Sequence, residues 1–123
     1  MQLGALMALL GGELICGDMG LDREVVTCFA ADMMSDVLAF SAPHALLITG
    51  LATVQSVHTA DVAECVGILL VGGKRPNPDA LRLGLSRHMP ILSTPHSMYE
   101  SCGVLYAHGL QPSQGHSHNP GQG

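Results

Sequence analysis

Residues 45–73 constrain the fold more than any other stretch of the chain. Ala45-Leu46-Leu47-Ile48 is a short apolar run closed by Thr49-Gly50, residues 53–64 mix polar and apolar side chains at helical spacing, and Gly67-Ile68-Leu69-Leu70-Val71 is apolar again. Two short apolar runs joined by a helix make a βαβ unit, because parallel neighbours need a crossover of roughly a dozen residues. The crossover is right-handed and covers one face of the sheet. The remaining segments are expected to add strands to this unit or to cover its faces.

Composition agrees with a buried parallel sheet. The chain of 123 residues is one domain by size, and a domain of that length buries roughly two thirds of the surface its unfolded chain exposes. It is 47% hydrophobic but only 3% aromatic and has no Trp, so the core is aliphatic, built from Leu, Val, Ile, Ala and seven Met. Such strands are apolar on both faces. A formal charge of −5, with five Lys and Arg in total, leaves no basic stripe along which a nucleic acid could lie. No apolar run reaches the roughly 18 residues of a membrane span. No Lys or Arg precedes Arg23, and Ile15 stands where a cleavable leader needs a small residue, so no signal segment is expected. Cys16, Cys28, Cys65 and Cys102 are far apart, form no C-x-x-C pair and sit in apolar surroundings. They read as buried reduced thiols, with no metal site, in a cytoplasmic protein.

Along the chain, Leu3, Leu6, Met7 and Leu10 make the stripe of an amphipathic helix stopped by Gly11-Gly12. Residues 13–16 form a short strand, 17–20 a turn, and 24–30, rich in β-branched side chains, a second strand. Met33, Met34, Val37 and Leu38 then recur at helical intervals, with Asp32 as the expected cap. Met33, Met34 and Met98 read as core filler. Asn77-Pro78-Asp79 has the cap, the first-turn Pro and the acid of a helix start, and residues 78–88 carry Leu81 and Leu85 on one face. Ile91-Leu92-Ser93 is a strand, and Thr94-Pro95 opens a last helix with Met98, Cys102 and Leu105 on its buried stripe, closed by Gly109. Residues 1–110 are therefore one three-layer α/β/α domain with a largely parallel sheet. Residues 111–123 hold only Gln, Pro, Ser, Gly, His and Asn and are expected to be a disordered tail, whose His116 and His118 are solvated.

Ligands of such sheets bind outside the carboxyl ends of the strands. Four successive strand ends here carry small, hydroxyl or charged residues: Asp32 with Ser35, Thr49-Gly50, Gly72-Gly73-Lys74-Arg75, and Ser93-Thr94. The glycines permit tight turns and close approach to backbone N–H groups, and Lys74-Arg75 is an adjacent pair of positive charges. These ten residues form the candidate ligand-binding rim, suited to a small anion such as an adenine nucleotide. The same residue types also serve as ordinary turns and caps.

Residues 32–40 (Asp32-Met33-Met34-Ser35-Asp36-Val37-Leu38-Ala39-Phe40), Leu47-Ile48-Thr49-Gly50-Leu51, Gly72-Gly73-Lys74-Arg75-Pro76, Leu92-Ser93-Thr94 and Ser97-Met98-Tyr99-Glu100-Ser101-Cys102-Gly103 together resemble the stand-alone DRTGG-domain proteins of bacteria and archaea. The resemblance runs in order over residues 1 to about 110. It implies a fold like the N-terminal domain of HPr kinase and a dimerising, regulatory role without assigned chemistry, as in the modules beside CBS domains of regulated pyrophosphatases or in some phosphotransacetylases. Stand-alone copies are often encoded near hydrogenase-type or other iron-sulfur proteins. Many relatives follow the central Thr-Gly with Gly-Asp-Arg, whereas here Thr49-Gly50 is followed by Leu51-Ala52-Thr53. The Asp and Arg are absent, and Leu51 offers an apolar contact instead.

Three readings of function follow. The first is a non-enzymatic, homodimeric regulatory domain that senses a small anionic ligand and requires no cofactor. The second is a ligand-free adaptor for a redox complex, with exposed Met side chains adapting to a partner. The third, a phosphotransfer enzyme, is the weakest. The loop G-x-x-x-x-G-K-S/T is missing, since Gly72-Gly73-Lys74 continues with Arg75-Pro76, and no catalytic base is evident.

Overall fold

The computed structural model describes residues 1–113. Its elements, in chain order, are α1 (Leu3–Leu9), β1 (Glu13–Cys16), a 3-10 turn at Asp18–Gly20, β2 (Thr27–Ala30), α2 (Met34–Phe40), β3 (Leu46–Thr49), α3 (Val54–Val62), β4 (Gly67–Leu70), α4 (Pro78–Ser86), β5 (Ile91–Ser93), α5 (Met98–Ala107) and β6 (Gln111–Pro112). The six strands form one sheet in the order β1-β5-β4-β3-β2-β6. All neighbours run parallel except β1, which pairs antiparallel with β5. The mixed α/β architecture expected from the central βαβ unit is present.

Handedness explains the layers. The steps β2 to β3, β3 to β4 and β4 to β5 all move the same way across the sheet, so right-handed crossovers put α2, α3 and α4 on one face. The return from β5 to β6 moves the other way, and α5 lies with α1 on the opposite face. The strands alternate accordingly. Leu47, Ile68, Leu70 and Ile91 pack under α2 to α4 with Met34, Val37, Val57 and Ala60. Leu46, Ile48, Leu69 and Leu92 pack under α1 and α5 with Leu3, Leu6, Leu10 and Leu105. Both faces of β3 and β4 are buried, which is why these strands read as unbroken apolar runs.

Several boundaries differ from the sequence reading. Only Thr27–Ala30 of the expected strand 24–30 pairs as β2, while Glu24 makes an isolated bridge to Gln2. In α4 the buried residues are Ala80 and Gly84, and Leu85 is exposed. A Cβ on Gly84 would lie 2.8 Å from Ile91 Cδ1, so the helix approaches the sheet through its small residues, with Leu81 and Leu83 packed at the core's edge and Leu85 turned outward. The last helix starts at Met98 behind a capping box, in which Ser97 Oγ accepts from the Glu100 amide and Glu100 accepts from the Ser97 amide. Its stripe is also shallower than expected: Leu105 is buried, Met98 and Cys102 only half-buried. Met34 is core as expected, but Met33 is 65% exposed. The chain also stays in the fold beyond Leu110. β6 pairs with Thr27 and Cys28, and buried Ser113 donates its amide to Cys28 O and accepts from the Ala42 amide. Backbone bonding at an edge leaves no apolar period in the sequence, so this strand was invisible there. The rest of the expected tail, with His116 and His118, lies outside the described residues.

Candidate functional site at the strand ends

The rim residues lie where the carboxyl ends of β2 to β5 meet the loops that follow, but long-range hydrogen bonds set their roles. Asp32 does not cap α2, whose N-cap is Met33 with no side-chain bond. Its Oδ1 instead accepts from the Gly50 amide at 2.8 Å and from Thr49 Oγ1 at 3.0 Å, tying the end of β2 to the end of β3. Thr49 Oγ1 in turn accepts from the Leu51 amide. A second tie joins β4 and β5: the Gly72 and Gly73 amides donate to the carbonyls of His96 and Thr94, at 2.7 and 2.8 Å. Ser93 Oγ donates to Lys74 O, and Thr94 Oγ1 donates to Leu10 O.

The glycine amides that were expected to receive a ligand are thus already bonded, and Ser93 and Thr94 are buried parts of the frame. Arg75 is paired with Glu13 of β1. Ser35 is exposed on the first turn of α2. Lys74 is exposed, and among the described residues it joins no ion pair. Thr53, the N-cap of α3, makes no side-chain cap bond, and while the Ser56 amide donates to Thr53 O, the Val54 and Gln55 amides have no acceptor among the described residues. Two groups at this rim can therefore meet an anion, the Lys74 ammonium and the start of α3. The signal missed in the sequence is the Asp32 tie, which joins residues 17 and 18 positions apart.

Removing that carboxylate leaves the fully buried Thr49 hydroxyl and the Gly50 amide without their acceptor. Asp32→Ala is expected to cost about 1 to 3 kcal/mol in denaturant unfolding, and Asp32→Asn, which keeps one acceptor oxygen, less. Equal stability of the alanine variant and the parent would show that the tie contributes nothing.

Comparison with protein-family models matches residues 5–107 to the DRTGG domain. The chain belongs to the DRTGG domain family. No curated protein matches it significantly. Among solved structures it is similar to the CBS and DRTGG domains of the regulatory region of a Clostridium perfringens pyrophosphatase, crystallised with the activator diadenosine tetraphosphate. The TM-score is 0.71 at 16% identity, over 91% of this chain and 47% of that one, so the present chain spans about half of the matched structure. At that identity the likeness establishes the fold.

Away from the rim, this DRTGG domain has an open cleft of about 250 Å³ between α5 and the β2 side of the sheet. Cys28, Ala30 and Ile48 form its floor, Cys102, Leu105 and Tyr106 its wall, and Gln111 and Pro112 lie at its edge. None of its lining residues was singled out as a ligand residue from the sequence. All four thiols of the domain are free. Burial, with the neighbouring Cys102 as a lesser cause, pushes Cys28 up to about 12. Burial alone pushes Cys65 up to about 11. Among the described residues, no three His, Cys, Asp or Glu side chains converge as a metal site, and no helix is long and apolar enough to cross a membrane.

The Cys65 thiol gives a pH prediction. In the fold it stays protonated to about pH 11, whereas in the unfolded chain it ionises from its ordinary value of 9.0. Between these values the unfolded state holds fewer protons, so this contribution to stability is full below pH 9.0 and is lost as pH rises toward 11. The slope is about 1.4 kcal/mol per pH unit. Unfolding free energies measured from pH 8 to 11 are expected to fall less steeply in Cys65→Ala than in the parent, and parallel curves would contradict the burial argument.

Proposed function

We propose that this DRTGG domain is a non-enzymatic regulatory module that senses a small anionic ligand, an adenine nucleotide, and acts as a homodimer in the cytoplasm. The observation that carries the reading is the shared fold with a regulatory region crystallised with an adenine dinucleotide activator. The rim supports it. Lys74 and the N-terminal end of α3 supply positive potential at the ends of adjacent strands, where α/β sheets take ligands. The geometry also argues against phosphotransfer: the Gly72 and Gly73 amides are bonded to carbonyls and cannot cradle phosphate, and Thr49, Ser93 and Thr94 have their hydroxyls engaged in structural bonds.

Calorimetric titration of the full chain with ATP and with diadenosine tetraphosphate tests the reading. Saturable binding without release of phosphate is expected, together with a stabilisation of about 2.7 kcal/mol at 100 times the dissociation constant. Lys74→Ala should weaken binding by about tenfold, the effect of losing roughly 1.4 kcal/mol of charge-assisted contact. Turnover of either nucleotide, or no binding at all, would overturn it. Sedimentation equilibrium of the same samples reads the dimer.

A second reading is favoured by the exposure of Met33, Leu38 and Phe40, at 65%, 54% and 51%. Exposed apolar side chains on and beside a helix can contact a protein partner, and a redox protein is the partner this reading takes. Under it, Phe40→Glu releases a co-purifying partner and nucleotides have no effect.

A further inference from the structure

We infer that the cleft between α5 and β2 receives the adenine base of the nucleotide, with Gln111 as the group that selects it. This rests on the sensing reading and adds to it a place and a specificity. The cleft has a structural cause. Two helices, α1 and α5, cover a face of six strands on which the other side has three. Where β3 and β4 fill the space under α5 with Leu46, Ile48 and Leu69, β2 offers only Cys28 and Ala30, and α5 replies with Cys102. Small side chains on facing surfaces leave a slot between sheet and helix.

Size and lining choose the occupant. Drug-sized ligands occupy roughly 300 to 1,000 Å³, so a cleft of about 250 Å³ takes one ring system and excludes a whole dinucleotide. No charged side chain lines it. Burial keeps the Cys28 thiol neutral, which disfavours an ionic or thiolate-bound occupant. What remains is a slot for an uncharged planar ring, with polarizable sulfur and the Tyr106 ring for its π surface. The polar group at the edge is the Gln111 amide. Its Nε2 donates to Gly109 O, which leaves Oε1 as an acceptor. An acceptor matches the exocyclic amine of adenine and opposes the carbonyl that guanine carries at the same place.

The rim completes the ligand. Ala30 and Ile48 are paired neighbours, and each strand continues directly into the Asp32 tie with Thr49 and Gly50. At about 3.3 Å per residue, Asp32 lies roughly 7 Å beyond Ala30, within reach of the ribose of a base seated in the cleft. Asp32 has one carboxylate oxygen outside the tie to accept from a ribose hydroxyl. β4, whose end carries Lys74, is two strands away, about 10 Å, a span that the ribose and phosphates can cover.

The test uses the two thiols as reporters in the full chain. Cysteines are alkylated with N-ethylmaleimide in the presence of ATP, adenosine or guanosine, and each site is followed by peptide mass spectrometry. Saturating ATP or adenosine is expected to slow alkylation of the half-buried Cys28 and Cys102 at least tenfold, and guanosine is expected to give no protection. Ala30→Leu, which fills the cleft from an exposed position on β2, should weaken ATP binding at least tenfold with the melting temperature preserved. ATP that binds by calorimetry while both thiols react at their unprotected rates overturns the cleft as base site and leaves the sensing reading intact. Adenosine protection combined with ATP binding indifferent to Lys74→Ala upholds the cleft and overturns the phosphate end of that reading. No binding and no protection overturns both.

Discussion

Gly17→Ala is expected to lose roughly 2 to 5 kcal/mol of stability, from left-handed strain of about 1 to 2 kcal/mol together with overpacking of about 1 to 3 kcal/mol. Against a total of about 5 to 15 kcal/mol for an ordinary domain, that loss leaves much of the protein unfolded under mild denaturant. Gly17 follows β1 at φ +88°, and a Cβ there would lie 2.5 Å from Pro90 Cα and 2.9 Å from Pro90 N. Both are backbone atoms, so no rotamer change relieves the clash. The contact sits where β1 and β5 take their antiparallel register, with Cys16 opposite Ile91, so relief would require moving β1 away from the sheet. Gly72→Ala is the matched control. It has nearly the same backbone strain, φ +66°, but nothing within 4 Å of the added carbon, and should cost only about 1 to 2 kcal/mol. Urea unfolding of the pair separates clash from strain, and equal losses would refute the close approach of Gly17 to Pro90.

Leu69→Ala carries the second large effect. Leu69 is fully buried in β4, paired with Ile48 on one side and Leu92 on the other, and packs beneath α1 and α5. Truncation removes its transfer free energy and leaves a cavity in a part of the sheet that cannot collapse, because strands on both sides hold the backbone. A loss of about 3 to 5 kcal/mol is expected, with the denaturant slope unchanged. Leu85→Ala is the contrasting case, since Leu85 is 55% exposed on α4 and should change stability by no more than about 0.5 kcal/mol. The sequence places Leu69 in a buried strand and Leu85 on the Leu81 face of its helix. A similar cost for the two would mean that α4 lies on the sheet by its leucine face and not by Ala80 and Gly84.

That contrast shows where the amino-acid pattern is legible. Leu46 to Ile48 and Gly67 to Leu70 are apolar without interruption because both sides of each strand are covered, and such a run announces itself. Asn77 caps α4 by accepting from the Ala80 amide, three residues on, and that signal is also contained within one helical turn. The capping box of α5 is equally local: Ser97 and Glu100 have the required spacing, although Thr94-Pro95, three residues earlier, also carries the marks of a helix start. Leu81 and Leu85 obey the same periodicity, yet Leu81 packs against the core and Leu85 stays exposed, because helix packing distance depends on the small residues Ala80 and Gly84 that face the sheet.

The candidate site was legible only as a location. Asp32, Thr49, Gly50, Gly72, Gly73, Ser93 and Thr94 do lie at the strand ends, but most of their polar groups hold the loops to one another. Arg75, adjacent to Lys74 in the sequence, is paired with Glu13, 62 positions away on β1. Lys74 and Ser35 remain exposed.

By itself the sequence determined the kind of domain this is: which runs are strands, which are helices, and that the crossovers are right-handed. Each of these follows from residues within a turn or two of one another, or from a handedness built into every L-residue. Only the tertiary structure decided which polar groups are engaged, that β6 closes the edge, and that Cys28 and Cys102 share a cleft. Those outcomes depend on pairings between distant segments, whose energies come from geometry that no local pattern of side chains encodes.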